Sequence, residues 1–307
     1  MRLTKRRVSQ FYLYRKCPNI HLKEKGSSYT NHDLLFKQLI RYFFKDFLFA
    51  FFPNIYEQLD LNSITFLSGE VFTDIVKGSS RRLDLVINMK IKNTESMIII
   101  HVEPQSSIQT DFHERMFQYY SLLYNEYRKP IIPIAIFSYL NHWEQNQFNM
   151  KVLDKTYLSF KYHTLHLKKM YWRDYLKKDN PVVAALLSKM DFKEEEKYKV
   201  KAEFVRMLWR LQLNEADQRL LYGFFETYVT LTEKEEAKFV ESVKEFDHAE
   251  EILNIPISYE EKGRKQGMKE GKKEVAIELL REGMPIELIQ KTTKITINEL
   301  KELKKQL

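Results

Sequence analysis

Two acidic residues, Asp84 and Glu103, stand on segments of alternating apolar and polar character separated by the short polar stretch Lys92-Asn93-Thr94-Glu95. With Asn93-Thr94 at the tip of a hairpin, paired positions sum to 187, so Ile91 faces Ser96, Met89 faces Ile98 and Asp84 lies opposite Glu103. Opposed side chains on neighbouring strands have Cβ atoms roughly 4.5–5.5 Å apart, and like charges set there repel. A hard divalent cation, Mg²⁺ with Mn²⁺ as its substitute, removes that repulsion and keeps waters for chemistry. Gln105 shares a face with Glu103 whatever the register, because strand side chains alternate. Pro104, between them, has no N–H for a ladder, which predicts a strand end, an edge or a bulge and leaves its carbonyl as a further oxygen. An acidic pair, a same-face amide and a carbonyl can hold a metal ion, position water and polarise a phosphate. The plainer reading of the pair is two surface carboxylates on a half-exposed hairpin, with Arg81 or Arg82 as partners.

Other polar residues are weighed against this centre. Asp33 reads equally as a helix-start residue and as a contributor from the first helix, and Lys37, one turn later, as a solvated lysine or a phosphate contact. Glu70 and Asp74 are spare carboxylates. His101 shares the face of Glu103 and Gln105 but reads first as a satisfied sheet histidine, while His163, His166, Lys168 and Lys169 read as a solvated basic stretch. The sequence has no Gly-rich phosphate loop, zinc-ligand cluster or nucleophile elbow, which leaves kinase, deaminase and serine-hydrolase chemistry without support.

The elements that must position these groups follow from periodicity. Phe36, Ile40, Phe43, Phe44, Phe47 and Phe51 recur at helical spacing, so a helix is expected from His32 to Phe51, ended by Pro53. Strands are expected over Ile64–Leu67, Val71–Ile75, Arg82–Ile91 and Ser96–Gln105, then an amphipathic helix over Phe112–Tyr127 and a strand over Ile131–Tyr139. That order implies a mixed sheet with helices packed on it, extended weakly by Met150–Leu167. Beyond Asn180 the pattern is helical: Val182–Met190, Tyr198–Leu213, Glu215–Leu231, Glu233–Leu253, Ile286–Thr292 and Ile297–Leu307. Gly263, Gly267 and Gly271 lie four apart among charged residues, which suits a packing or connecting segment and not a membrane motif. The last two helices could form a helix-turn-helix around Lys294, although short paired helices are common.

The totals bound the class. A chain of 307 residues can bury a substantial interior, and with Cys17 as its single cysteine it needs and can form no internal disulfide, which fits a reducing, cytoplasmic setting. The longest apolar run, Phe47–Phe52, is far short of the about 20 residues of a membrane span. The formal charge of +8 is concentrated in the first 28 residues, where eight basic residues face Glu24 alone. Such an arm suits phosphate contact through counterion release, or is simply solvated.

Residues from His32 to Tyr124 resemble the recombination-promoting nucleases, also described as YhgA-like transposases, whose cores are assigned to the PD-(D/E)XK nuclease superfamily. The likeness rests on His32-Asp33 followed by Phe36-Lys37, on Phe52-Pro53 and Leu59-Asp60, on Leu83-Asp84-Leu85, on Glu103-Pro104-Gln105-Ser106, and on Arg115 with Tyr119. Tyr259-Glu260-Glu261-Lys262-Gly263 and the spaced glycines resemble the family's tail. Proline inside the Glu-x-Gln motif, where relatives often carry histidine, and the basic extension are departures. The resemblance implies an α/β fold with a restriction-endonuclease-like core, a mixed sheet flanked by helices, at residues 29–180. A basic extension (1–28) precedes it, and a helical region (181–257) and a charged helical tail (258–307) follow. It also implies a Mg²⁺-dependent DNA endonuclease linked to recombination or transposition-like exchange. Asp84, Glu103 and the Pro104 carbonyl would then be metal ligands, Gln105 would stand in the lysine place, and Asp33 and Lys37 would be further candidates. The alternative is a catalytically weak or inactive nucleic-acid or protein-binding module that keeps the fold. DNA is the expected partner, no membrane is, and the C-terminal helices offer a route to homo-oligomers.

Overall fold

The computed structural model describes residues 28–67, 72–73, 80–81, 84–139, 146–255, 271–293 and 295–305. Glu70, Asp74, Arg82, Leu83, the basic segment through Lys25, Gly263, Gly267, the Tyr259–Gly263 motif and Lys294 lie outside the described residues. The helix expected from His32 to Phe51 is two helices, α1 (Ser28–Tyr42) and α2 (Phe44–Phe51). The break is at Phe43, whose φ of −108° and ψ of 40° are not helical. The phenylalanine spacing runs through the break because both helices bury the same side, with Phe36, Ile40, Phe43, Phe44 and Phe47 all in one apolar cluster. Pro53 opens α3 (Pro53–Gln58) at its first turn, where the missing N–H has no intrahelical partner to lose.

The strands follow as β1 (Leu59–Leu67), β2 (Phe72–Thr73), β3 (Ser80–Arg81), β4 (Leu85–Ile91) and β5 (Met97–Gln105). After helix α4 (Phe112–Tyr127) come β6 (Ile131–Phe137), β7 (Gln147–Val152), β8 (Lys155–Lys161) and β9 (His163–His166). A five-stranded mixed sheet has the order β1-β4-β5-β6-β9, while β2–β3 and β7–β8 form separate two-stranded ribbons. β1, β4 and β5 pair antiparallel, and β6 and β9 add on parallel to β5. A parallel pair needs a crossover, and α4 supplies it between β5 and β6. The weakly alternating stretch Met150–Leu167 is thus split between a ribbon and the last strand of the main sheet, whose four residues are too few to show a period.

The sheet has two unlike faces. Leu85, Ile87, Met89, Ile98, Ile100, Val102, Ile134, Ile136 and Leu165 turn to the side covered by α1 and α2. The opposite side, where α4 lies, carries Val86 and Ile99 against Tyr119 and Leu123, and Ala135 and Phe137 against Phe112 and Met116.

Helices α5 (Pro181–Leu186), α6 (Lys197–Leu211), α7 (Glu215–Tyr228), α8 (Glu233–Lys244) and α9 (Ala249–Leu253) make up the helical region. Asn180 starts α5 by accepting the Val182 and Val183 N–H groups at 3.0 Å each, and its own amide donates to the Asp46 carbonyl at 2.9 Å. One side chain thus caps a helix and ties it to α2. The apolar cluster continues without interruption from Phe36 through the sheet to Phe204, Phe225 and Ile252, so no break in the core falls at residue 180. The expected helix Glu233–Leu253 is divided at His248, whose φ is 63°. The tail forms α10 (residues 271–281), α11 (Ile286–Thr293) and α12 (Ile297–Lys305), with a small cluster of its own built on Ala276, Leu280, Ile289 and Leu300. Among the described residues no helix is long and apolar enough to cross a membrane.

Candidate metal and phosphate site

The hairpin has the register expected from its turn. Leu85 pairs with Val102, Val86 with His101 and Met89 with Ile98, each pair summing to 187. Asn93 adopts a left-handed φ of 61°, which asparagine tolerates better than most residues, and this fixes the turn. Asp84 lies in a bend immediately before β4, half-buried, and has the parity of Val86. Strand alternation carried back one residue from β4 would assign it to the side of His101, Glu103 and Gln105.

The ladder also explains Pro104. The Ile91 N–H donates to the Ser96 carbonyl at 2.9 Å, so 91 and 96 form a hydrogen-bonded pair, and alternation directs the even-numbered groups of β5 toward β4. The absent N–H of Pro104 thus points past Leu85, the last paired residue of β4 among the described residues. Toward β6 the pairing is unbroken, Pro104 standing beside Ile136 and Gln105 beside Phe137. The Gln105 amide folds back and donates to the Pro104 carbonyl at 2.9 Å, while the Gln105 carbonyl accepts from the Ser138 N–H at 3.0 Å.

Glu103 is 4% exposed, and its surroundings come from two elements. From β5, His101 Nε2 lies 3.4 Å from Glu103 Oε2; from α4, Arg115 Nη2 lies 3.8 Å from Glu103 Oε1. Arg115 is held by Gln109, which accepts a hydrogen bond from its Nη1, and its guanidinium lies over the rings of Phe112 and Tyr119 at 5.2 and 5.9 Å. Tyr119 also meets His101 edge to face at 5.7 Å. Among the described residues Glu103 Oε2, both ring nitrogens of His101 and Arg115 Nε are buried without a hydrogen-bond partner. Buried polar atoms in native proteins are overwhelmingly paired, so a group of orphans on neighbouring side chains marks a place whose polar demand comes from something other than the fold. The charge of a buried carboxylate needs a counter-charge, and Arg115 supplies one.

The expected residues are therefore distributed unequally. Glu103 and Gln105 share one side of β5, and Asp84 lies at the same end of the hairpin. Lys37 is half-buried on α1, beside Phe36, on the helix that covers the opposite face. The side chain of Asp33 lies outside the described residues. His166 is not simply solvated: its ring stacks on Phe137 at 4.8 Å, and Lys168 donates to the Met190 carbonyl at 3.2 Å. Arg115 entered the sequence reading only through the family likeness. Its place one turn before Tyr119, on a helix buried at Phe112, Met116 and Tyr119, is the signal that could have brought it to Glu103. Among the described residues no group of three or more His, Cys, Asp or Glu side chains is placed to hold a metal ion, so a cation here would rest on two carboxylates and backbone oxygen. A surface depression lined by Asp60, Lys90, Asn93 and Glu95 lies at the turn end of the hairpin, away from Glu103, and contains none of the expected residues.

Comparison of the chain with protein-family models, with curated proteins and with solved structures finds no match.

Proposed function

We propose that this protein is a metal-dependent DNA endonuclease of the PD-(D/E)XK kind, hydrolysing phosphodiester bonds at the end of the β4–β5 hairpin. The observation that supports the reading is the hairpin register, which ends at Leu85 and Val102 and, continued by one pair, would set Asp84 opposite Glu103, whose buried Oε2 makes no hydrogen bond among the described residues. A Mg²⁺ ion accepts as few as one or two protein carboxylates and keeps several waters, so the donor set of Asp84, Glu103 and the Pro104 carbonyl fits it. When bound, that ion would supply Lewis-acid polarisation of a phosphate oxygen and a more acidic water.

The chain's own residues then have separable tasks. Glu103 and Asp84 bring negative charge that is tolerated only against a cation. Arg115, tethered by Gln109 and stacked on Phe112, is a fixed positive group beside Glu103 suited to a phosphate oxygen. Gln105 cannot take up a proton as a base, but its amide can orient water or phosphate once released from the Pro104 carbonyl.

The test is incubation of the purified chain with supercoiled plasmid and Mg²⁺. Nicking or linearisation is expected, with loss on Asp84→Ala and on Glu103→Ala while both variants melt cooperatively. Cutting at the wild-type rate by both variants removes the assignment. Salt-sensitive DNA binding with no metal-dependent cutting by the wild type turns it into a binding module that keeps the fold.

A further inference from the structure

The β7–β8 ribbon is packed at one end and bare at the other. At its base Phe148 stacks on Phe117 of α4 at 5.4 Å, and Phe160 lies 5.7 Å from Phe117 and 5.1 Å from Tyr120. Beyond that base, Met150 is 50% exposed, Val152 59%, Leu153 96% and Tyr157 70%. Leu153 lies five positions after Phe148, so at about 3.3 Å per residue the tip stands roughly 16 Å past the packed base. Tyr157 is the extra residue of a bulge, since Met150 pairs with Leu158 but Lys151 pairs with Thr156. A bulge bends and twists a ribbon and re-aims its end.

The tip is costly as built. Leu153 takes a φ of 55° at the first position of a two-residue turn, where glycine or asparagine would be accommodated more cheaply. A leucine that is both in the left-handed region and exposed to water gains nothing from the fold. Around it stand Lys151 and Lys155 against Asp154 alone, and among the described residues neither lysine makes an ion pair. An apolar point flanked by uncompensated cations matches the chemistry of a polyanion with an apolar interior. Duplex DNA is such a partner: lysines meet phosphates while an aliphatic side chain wedges between base steps from the minor groove. The ribbon's seat supports the same partner, because α4 carries both Phe117 under the ribbon and Arg115 beside Glu103.

We propose that the β7–β8 ribbon is a DNA-gripping arm, with Leu153 and Val152 entering the minor groove and Lys151 and Lys155 contacting the flanking phosphates. The choice of duplex DNA as occupant rests on the nuclease reading; the arm itself rests on the exposure and charge of the tip. The test is binding of the full chain to a short fluorescent duplex in EDTA, where no cutting occurs, followed by anisotropy at several salt concentrations. Leu153→Asp is expected to weaken binding about tenfold, and Lys151→Gln and Lys155→Gln each to lower the salt slope by about one. A duplex carrying 2-aminopurine should brighten on binding wild type and not Leu153→Asp. Unchanged melting of the tip variants separates loss of grip from loss of fold. Wild-type affinity in Leu153→Asp, or no duplex binding by the wild type, overturns the arm. So does loss in Leu153→Asp of self-association by sedimentation, or of binding to phosphatidylserine vesicles, with duplex binding intact. Arm-dependent binding without any metal-dependent cutting would sink the catalytic reading and leave the arm standing; cutting with arm-independent binding does the reverse.

Discussion

The two faces of β5 were made by one alternating sequence and serve opposite ends. Ile98, Ile100 and Val102 enter an apolar cluster shared by α1, α2 and the helical region, with no polar atom to satisfy. Ile99, His101, Glu103 and Gln105 begin apolar beside Tyr119 and Leu123 and become polar toward the strand end, where buried atoms go without partners. Neighbouring residues a few ångströms apart along the chain are thus subject to different demands. The even positions are answerable to packing density; the odd ones carry a desolvation cost that stability alone does not explain.

The sharpest way to break this contrast is to change neighbours 102 and 103. Val102→Asp would bury an unpaired carboxylate, a cost of several kcal/mol against a typical total stability of about 5–15 kcal/mol, and should leave little cooperatively folded protein by circular dichroism. Glu103→Gln should keep the melting transition while lowering Mg²⁺-dependent plasmid cutting by about a hundredfold or more. If both variants unfold, the odd face is structural after all. Next in size, Ile100→Ala should cost about 3 kcal/mol through a cavity in the shared cluster, seen as a lower urea midpoint at unchanged slope.

The apolar side also has a titratable intruder. Lys189 lies 4.0 Å over the Tyr228 ring, and burial, helped by repulsion from Lys168, pushes its ammonium down to about 8 from 10.5. A lysine whose folded value lies below its unfolded one binds fewer protons when folded. Stability therefore rises with pH between about 8 and 10.5 as the unfolded chain alone stays charged. Lys189→Met should stabilise at pH 7 by about 1–2 kcal/mol after discounting for partial exposure, and the advantage should shrink as pH rises through that window in denaturant titrations. The smallest effect is expected at His101, where neither ring nitrogen makes a hydrogen bond among the described residues: His101→Phe should change stability by no more than about 1 kcal/mol in either direction.

What could be read from the sequence was set by local signals. The hairpin register was legible because a polar turn with Asn93 at its left-handed position leaves one way to pair the flanking strands. Helix α4 was legible to its end residues because its buried positions repeat at helical spacing over sixteen residues. The break at Phe43 was hidden because aromatic spacing continues across it, and the turn at His248 because no glycine marks it. Helix α3 was hidden because a proline that ends one helix also suits the start of another. Of the site, the same-face placement of Glu103 and Gln105 followed from parity alone. The approach of Arg115 did not, because it depends on how α4 crosses from β5 to β6 and no local pattern encodes that.

The single amide of Asn180 that spans α2 and α5 carries a practical corollary. A gene fragment ending there would yield a sheet whose oily side has lost its cover, and it should collect in inclusion bodies. Shortening the chain from the other end, by dropping residues 271–307 with their private cluster, should leave a product that still purifies as a well-behaved solute.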